Sequence, residues 1–169
     1  MAIPPRPSKV HPLALAFSPG EWYAYAIMAA AYKSKFSQFP GSSLEEAIKL
    51  ARHEYHSIQK RTPKRAAYVR SKYFTKDKVF INNFWDHLNQ KSPQDKLRRA
   101  KLFLCGIDLL RNTRHAPESM QNPNVQDEVL HRFQGLTNKN QPFCVQLKQN
   151  KKTGRLDYIS VFPVKPTLK

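Results

Sequence analysis

Two side chains that can carry positive charge, His131 and Arg132, stand next to each other in the segment VLHRFQGLT, residues 129–137. The segment is predicted to be a strand, in which successive side chains point to opposite faces, so the two residues cannot serve the same surface. Arginine offers a two-pronged donor to a phosphate, and histidine titrates near neutral pH and can act as a general base. The pattern of apolar residues in the neighbouring predicted strands indicates which face each residue occupies.

Two further segments, residues 142–149 and 156–163, are predicted to join residues 128–137 in an antiparallel three-stranded meander, because the turn sequences NKNQ and NKKTG connect them. Their alternating apolar residues define one face, and His131 falls on that apolar face. The opposite face is predicted to be polar and suited to gripping a phosphodiester. Its members are Arg132, Gln134, Gln146, Lys148, Tyr158 and Ser160.

His131 has two interpretations. As a core histidine it bonds a backbone group through one ring nitrogen, and its replacement destabilises the protein. As a general base, which would require the strand to twist or bulge, its replacement leaves stability unchanged and alters the pH dependence of the rate. The sequence leaves both open, with a slight preference for the core histidine.

The rest of the chain is predicted to be mostly helical, and the helices precede the strands. The predicted elements are an extended arm over residues 1–18 and helices over residues 19–36, 43–60, 79–90 and 93–112. This order indicates the α+β class. We expect a helical, basic region over residues 19–90, followed over residues 91–169 by a helix packed on a small antiparallel sheet.

The charge balance indicates a polyanionic partner. The chain of 169 residues carries 29 Lys and Arg against 12 Asp and Glu, a net charge of +17. Residues 60–78 hold eight of these cations with aromatic residues among them, a pattern that suits a nucleic-acid backbone or, alternatively, a solvated helix face. The residues predicted to bind nucleic acid, RNA in preference to DNA, are Lys64, Arg65, Arg70, Lys72, Lys76, Lys78, Gln134 and Gln146.

Several functional classes are disfavoured. No apolar run reaches the ~20 residues that a membrane-spanning helix needs, so we expect a cytoplasmic protein with no membrane role. Asp, Glu and His are not grouped as a two-metal nuclease requires, and His53 and His56 lack the spacing of a zinc-protease helix. The two cysteines do not make a disulfide framework. The sequence therefore predicts no metal and no cofactor.

The order of parts in the second half of the chain resembles a known family. The stretches LFLCGIDLLRNTRHAPES and LHRFQGLTNKNQPFCVQLKQNKKTGRLDYISVFP combine a helix ending near a Pro-Glu step, a connector, an Arg-bearing strand, a hairpin and a last strand ending in SVFP. This order is similar to that of the barnase-EndoU-colicin-RelE superfamily of metal-independent ribonucleases, in its phage and mobile-element branch, over roughly residues 93–164. By position, the resemblance implies catalytic roles for Arg132, Lys148 and Ser160, with His131 and Tyr158 as further candidates and His87 as a possible substitute outside the matched stretch.

The resemblance and the charge together predict a metal-independent endoribonuclease that uses the 2'-hydroxyl of RNA as its nucleophile. Such a protein could act as a toxin and have a protein partner or inhibitor. The alternative is a protein that binds RNA or DNA without cleaving it, or a subunit of a nucleoprotein assembly.

Overall fold

The computed structural model describes residues 31–164 of the chain. This part folds as four α-helices and seven strands, so the predicted α+β class is confirmed. The helices are Leu44–Arg61 (α1), Asn83–Asn89 (α2), Pro93–Lys101 (α3) and Phe103–Asn112 (α4). The strands are Tyr32–Lys33 (β1), Tyr68–Arg70 (β2), Lys78–Phe80 (β3), Glu118–Gln121 (β4), Glu128–Leu136 (β5), Pro142–Asn150 (β6) and Leu156–Pro163 (β7).

The predicted antiparallel meander is present as β5, β6 and β7, but it is only the centre of a larger sheet. The strand order is β1-β5-β6-β7-β3-β2, and β4 also pairs with β5. The sheet is mixed, because β1 runs parallel to β5 and β3 runs parallel to β7. The prediction of a small, purely antiparallel sheet is therefore wrong. The added strands were missed because they are only two to four residues long and carry almost no alternation signal.

The helical, basic region predicted over residues 19–90 is only partly helical within the described residues 31–90. The basic segment over residues 60–78 leaves α1 through a short 3-10 turn, Pro63–Arg65, and enters a β2–β3 hairpin that joins the main sheet. Its turn includes Thr75 and Lys76 at positive φ. Helix 79–90 is observed only over α2, and helix 93–112 is divided into α3 and α4 at Leu102.

The end of the first predicted helix is a strand instead. Residues 32–33 form β1, and the buried Asp108 of α4 holds the segment that follows. Its Oδ2 accepts hydrogen bonds from Tyr32 Oη at 3.0 Å, Ser34 Oγ at 2.9 Å and the Lys35 backbone N–H at 3.1 Å. The rest of that predicted helix and the predicted arm, residues 1–30, lie outside the described residues.

Helix α4 packs directly on the apolar face of the sheet, and two glycines allow the close approach. A Cβ at Gly135 of β5 would lie 2.5 Å from Phe143 Cζ and 2.7 Å from Leu109 Cδ1. A Cβ at Gly106 of α4 would clash with the Tyr158 hydroxyl. The face of the sheet that carries α4 is the inner face, and the opposite one is called the outer face below.

Gly106→Ala is expected to lower the free energy of unfolding by about 1–3 kcal/mol, measured by denaturant unfolding, because overpacking a filled core costs that much. The Tyr158 ring cannot move aside easily, since it stacks on Phe84 with ring centroids 5.2 Å apart. Alanine otherwise favours a helix over glycine by about 1 kcal/mol, so the measured loss understates the steric cost.

The control for this prediction is Tyr158→Phe. The Tyr158 hydroxyl is buried and has no hydrogen-bond partner within the described part of the chain, so removing it should leave stability equal or higher. The double variant Gly106→Ala/Tyr158→Phe should recover part of the loss. An unchanged stability in Gly106→Ala alone would show that the helix–sheet contact is loose.

Candidate functional site

The register of the meander places three of the predicted polar residues side by side on the outer face. Arg132 of β5 pairs with Gln146 of β6, and Gln146 pairs with Ser160 of β7. Arg132 is exposed, and its Nη2 lies 3.5 Å from Gln146 Oε1. These three side chains form one row across the centre of the sheet.

Tyr158 does not belong to this row, which corrects the predicted face. The register shifts between Gln146 and Leu147, so that Leu147 pairs with Tyr158 and Ile159 is the extra residue of a β-bulge. The bulge reverses the alternation along β7 and turns Tyr158 to the inner face, where it is 0% exposed. Its hydroxyl therefore cannot touch a ligand on the outer face.

Two helices supply the remaining walls of a pocket beside this row. Along β7, strand β3 pairs with Leu156 and Asp157, and helices α2 and α3 also pack against β7. Three residues of α2 are buried in the core. His87 lies between them in the sequence and is half-buried at the edge of the core. The pocket has a volume of about 280 Å³ and is called the basic pocket. Its lining residues are His87, Lys91, Arg99, Arg132, Gln146, Ile159, Ser160 and Phe162.

Helix α3 positions Arg99 in the pocket. The helix begins at Pro93 with Ser92 as its cap, whose Oγ accepts a hydrogen bond from the Asp95 backbone N–H at 3.3 Å. Two turns later, Arg99 Nη1 donates a hydrogen bond to Ser160 Oγ. Arg99 Nε is buried without a hydrogen-bond partner among the described residues.

Phe162 holds the two arginines near each other. The Cζ atoms of Arg99 and Arg132 lie 5.4 Å and 5.5 Å from the centre of its ring. Each contact is within the range of a cation–π interaction. With Lys91, the basic pocket gathers three cations, and no carboxylate lines it. The electrostatics of the pocket therefore favour an anion, such as a phosphate group.

The imidazole of His87 is expected to be uncharged near neutral pH, because its pKa is lowered. Burial lowers the pKa of its imidazole below the ordinary value of 6.5, and the positive charges of Lys148 and Lys91 lower it further. A neutral imidazole can accept a proton from a hydroxyl group. Lys148, a predicted catalytic residue, does not line the pocket; its Nζ pairs with Glu128 Oε1 at 3.3 Å, and its charge acts on His87 from outside.

His131 lies on the inner face, opposite to Arg132. It is 8% exposed; Nδ1 is 2.6 Å from Ser119 Oγ and Nε2 is 2.7 Å from Gln149 Oε1. Phe74 packs on its ring with centroids 5.2 Å apart. Its geometry is that of a core histidine, although both ring nitrogens bond side chains where a backbone bond was expected.

His131→Ala is expected to lower the free energy of unfolding by about 1–3 kcal/mol, because it removes packing and leaves Ser119 and Gln149 without their partner. Thermal unfolding measures this, and activity per folded molecule should stay unchanged. His131→Gln, which keeps a donor and an acceptor, should lose less stability. Normal stability combined with lost activity in both variants would instead indicate a catalytic role.

The cations of the hairpin are divided between the two sides of the sheet: Lys72 and Lys76 lie at the hairpin tip, whereas the register of β2 and β3 puts Arg70 and Lys78 on the outer face. Tyr73 and Phe74 pack on Phe133 of the inner face, with ring centroids 5.6 Å and 6.1 Å apart, so the tip of the β2–β3 hairpin covers the inner side of the sheet. All four predicted binding residues of the hairpin are exposed. They are Arg70, Lys72, Lys76 and Lys78.

The other predicted binding residues are also dispersed. Lys64 is exposed in the 3-10 turn before the hairpin, and Arg65 follows it in the same turn. Gln134 lies on the outer face and accepts a hydrogen bond from Cys144 Sγ at 3.0 Å. Of the predicted binding residues whose side chains the structure describes, Gln146 alone lines the basic pocket.

Four residues of the pocket, Lys91, Arg99, Ile159 and Phe162, were not predicted as site residues from the sequence. The available signal was the cap at Ser92, which fixes the start of α3 and hence the direction of Arg99, but not what the helix packs against. Over residues 31–164, no group of three or more His, Cys, Asp or Glu side chains could hold a metal ion. No described helix is long and apolar enough to cross a membrane.

No family model, no curated protein and no solved structure matches this chain. The class that the structure defines is an α+β protein with a mixed seven-stranded sheet and a carboxylate-free basic pocket on its outer face. The resemblance to the barnase-EndoU-colicin-RelE superfamily stays a prediction.

Proposed function

We propose that this protein is a metal-independent endoribonuclease and that the basic pocket is its active site. One observation supports the proposal above the others: a half-buried histidine whose pKa is lowered shares a pocket with three cations and no carboxylate. RNA carries its own nucleophile, the 2'-hydroxyl, so its cleavage needs a base and positive charge around the phosphate. This pocket holds both.

In the proposed reaction, His87 accepts the proton of the 2'-hydroxyl while the oxygen attacks the adjacent phosphorus. The bond from phosphorus to the 5'-oxygen of the next nucleotide breaks, which leaves a 2',3'-cyclic phosphate and a 5'-hydroxyl. Lys91 lines the pocket, and its ammonium group can donate a proton to the departing 5'-oxygen. Arg99 and Arg132 stabilise the charge that develops on the phosphoryl oxygens.

Ser160 and Phe162 act as positioning residues in this scheme. Ser160 Oγ accepts a hydrogen bond from Arg99, and the ring of Phe162 lies beside both guanidinium groups. Since preorganised charges stabilise a transition state more than mobile ones, fixing the two arginines is part of the catalytic design.

The test is incubation of the purified protein with end-labelled RNA in EDTA, followed by identification of the product ends. Cleavage with 2',3'-cyclic phosphate ends is expected. A matched RNA with a single 2'-deoxynucleotide at the cleaved position should stay intact there, because it lacks the nucleophile. Tight binding of several RNAs without any cleavage in EDTA would favour the non-catalytic nucleic-acid-binding protein instead.

The hairpin cations are expected to contribute sequence-independent affinity. Each contact to a phosphate of single-stranded RNA adds about 0.7 to the slope of log affinity against log salt concentration. Lys72→Ala/Lys76→Ala should therefore reduce the slope by about 1.4, measured by fluorescence anisotropy, and leave the rate at saturating RNA unchanged. An unchanged slope would show that the inner side of the protein does not touch RNA.

A further inference from the structure

A second group of cations and aromatic rings lies on the outer face, where the β2–β3 hairpin extends the sheet beyond β7. Val69 and Val79 of the hairpin are buried and point to the inner face, so their neighbours along each strand point outward. The group is called the hairpin platform. Its members are Tyr68, Arg70, Lys78, Phe80 and Arg155.

Each cation of the platform lies on an aromatic ring. Arg70 Cζ and Lys78 Nζ lie 5.7 Å and 4.9 Å from the centre of the Tyr68 ring. Arg155 Cζ lies 4.1 Å from the centre of the Phe80 ring, and the two rings meet edge to face with centroids 5.9 Å apart. Because these contacts restrict exposed side chains, the cations lose less conformational entropy when they bind an anion.

One row of outer-face side chains links the platform to the basic pocket. Phe80 pairs with Asp157 of β7, and Asp157 pairs with Lys148 of β6. Lys148 is two residues beyond Gln146, so it lies on the same face, about 7 Å farther along β6. Its positive charge also acts on His87 of the pocket. The platform and the basic pocket therefore belong to one surface, joined through β6 and β7.

The carboxylate in this row is already paired. Asp157 is 5% exposed, and its Oδ1 accepts a hydrogen bond from Arg155 Nε at 3.1 Å. Among the described residues, Arg70 and Lys78 have no carboxylate within 4.0 Å. These two exposed cations therefore give the platform its net positive charge.

Cations interleaved with aromatic rings suit a single-stranded nucleic acid. The cations contact its phosphates, and a ring stacks on a base whatever the identity of that base. Tyr68 and Phe80 are half-buried, so part of each ring is accessible. A duplex keeps its bases stacked inside and offers no free base face to a ring on a protein surface.

We propose that the hairpin platform binds a single-stranded flank of the RNA whose scissile phosphate occupies the basic pocket. The proposal rests on the proposed function for the position of that phosphate. Phosphates of the flank contact Arg70 and Lys78, and one base stacks on Tyr68. The platform thereby makes the protein prefer single-stranded RNA that is long enough to span both places.

The test measures, by fluorescence anisotropy, the affinities of uncleavable 2'-O-methyl RNAs: a dinucleotide, a single strand of about eight nucleotides and the same strand in a duplex. We expect the single strand to bind more tightly than the other two. Tyr68→Leu, which keeps apolar packing and removes the flat ring, should lower the affinity of the single strand about 5- to 100-fold, the effect of losing one stacked base. The dinucleotide, which is too short to reach the platform, should bind as before.

Two further variants separate stacking from charge. Tyr68→Phe keeps the ring and should bind the single strand as tightly as wild type. Arg70→Ala/Lys78→Ala should lower the slope of log affinity against log salt concentration by about 1.4, because two phosphate contacts are lost. Lys49→Ala/Lys139→Ala removes the same charge at exposed sites outside both the platform and the basic pocket, and should leave the slope unchanged.

Three results would overturn the platform. The first is equal binding of the single strand and the dinucleotide to wild type. The second is an equal loss for both RNAs in Tyr68→Leu, which would mean that the hairpin supports the fold and not the RNA. The third is equal binding of single strand and duplex, which would indicate a surface for polyanions in general. Failure of catalysis is distinct, because length-dependent binding of the single strand without cleavage of unmodified RNA in EDTA removes the ribonuclease alone.

Discussion

Arg132→Ala is expected to lower the rate of RNA cleavage at saturating substrate by about 100- to 1,000-fold, the usual effect of removing one group that stabilises transition-state charge. Its free energy of unfolding should stay within about 1 kcal/mol of wild type, because Arg132 is exposed and its described contacts are a long hydrogen bond to Gln146 and a cation–π contact with Phe162. Single-turnover cleavage in EDTA measures the first quantity, and denaturant unfolding the second.

The matched control is Arg98→Ala. Arg98 is the neighbour of Arg99 on α3, is exposed, and pairs with Asp95 at 3.1 Å outside the basic pocket. Removing it changes the net charge by the same amount and should leave the cleavage rate unchanged. Arg132→Lys, which keeps the charge and loses the planar fork, should fall between wild type and Arg132→Ala. Equal losses in the Arg98 and Arg132 variants would mean that total charge, and not the pocket, drives the reaction.

His87→Gln should lower the rate by about 100- to 10,000-fold, the range for loss of general acid–base help. In wild type, the rate should fall as the pH is lowered through the pKa of His87, because protonated imidazole cannot accept a proton. Burial and the nearby lysines place that midpoint below 6.5. The residual activity of His87→Gln should show no such decline, as measured by single-turnover rates between pH 5 and pH 8.

Lys148→Ala tests the cause of the lowered pKa. Since the charge of Lys148 disfavours protonated His87, its removal should move the midpoint of the acid limb upward, toward 6.5. His56→Gln, at an exposed histidine of α1, should leave the pH profile as in wild type. An acid limb that persists in His87→Gln would assign the titration to another group and remove His87 from the mechanism.

Local sequence signals predicted the elements that carry most of the candidate site. Alternation over eight or nine residues located β5, β6 and β7 and put Arg132, Gln146 and Ser160 on one face. Local caps also mark the starts of two helices: Ser43 Oγ accepts from the Glu46 backbone N–H at 3.3 Å, and Ser92 caps α3 in the same way. These features depend on neighbours within a few residues, which is why one sequence suffices to find them.

The sequence did not reveal the elements that depend on distant partners. Strands β1 and β3 are two and three residues long and exist because a longer strand beside each offers hydrogen bonds, and the equally short β2 pairs in turn with β3. The break at Leu102 lets α3 lie beside β7 while α4 crosses the inner face. The helical periodicity of residues 93–112 does not reveal this break, because one continuous helix would show the same pattern.

The sequence by itself determined that this protein is a strongly basic α+β chain with an arginine-bearing meander, because charge and short-range periodicity are properties of the residues alone. Only the tertiary structure decided which side chains meet. The bulge at Ile159 turned Tyr158 into the core, and the packing of α2 and α3 against β7 brought His87, Lys91 and Arg99 to Arg132. Contacts between residues thirty or more positions apart depend on how the helices pack against the sheet. The spacing of side chains along the chain does not encode that packing directly.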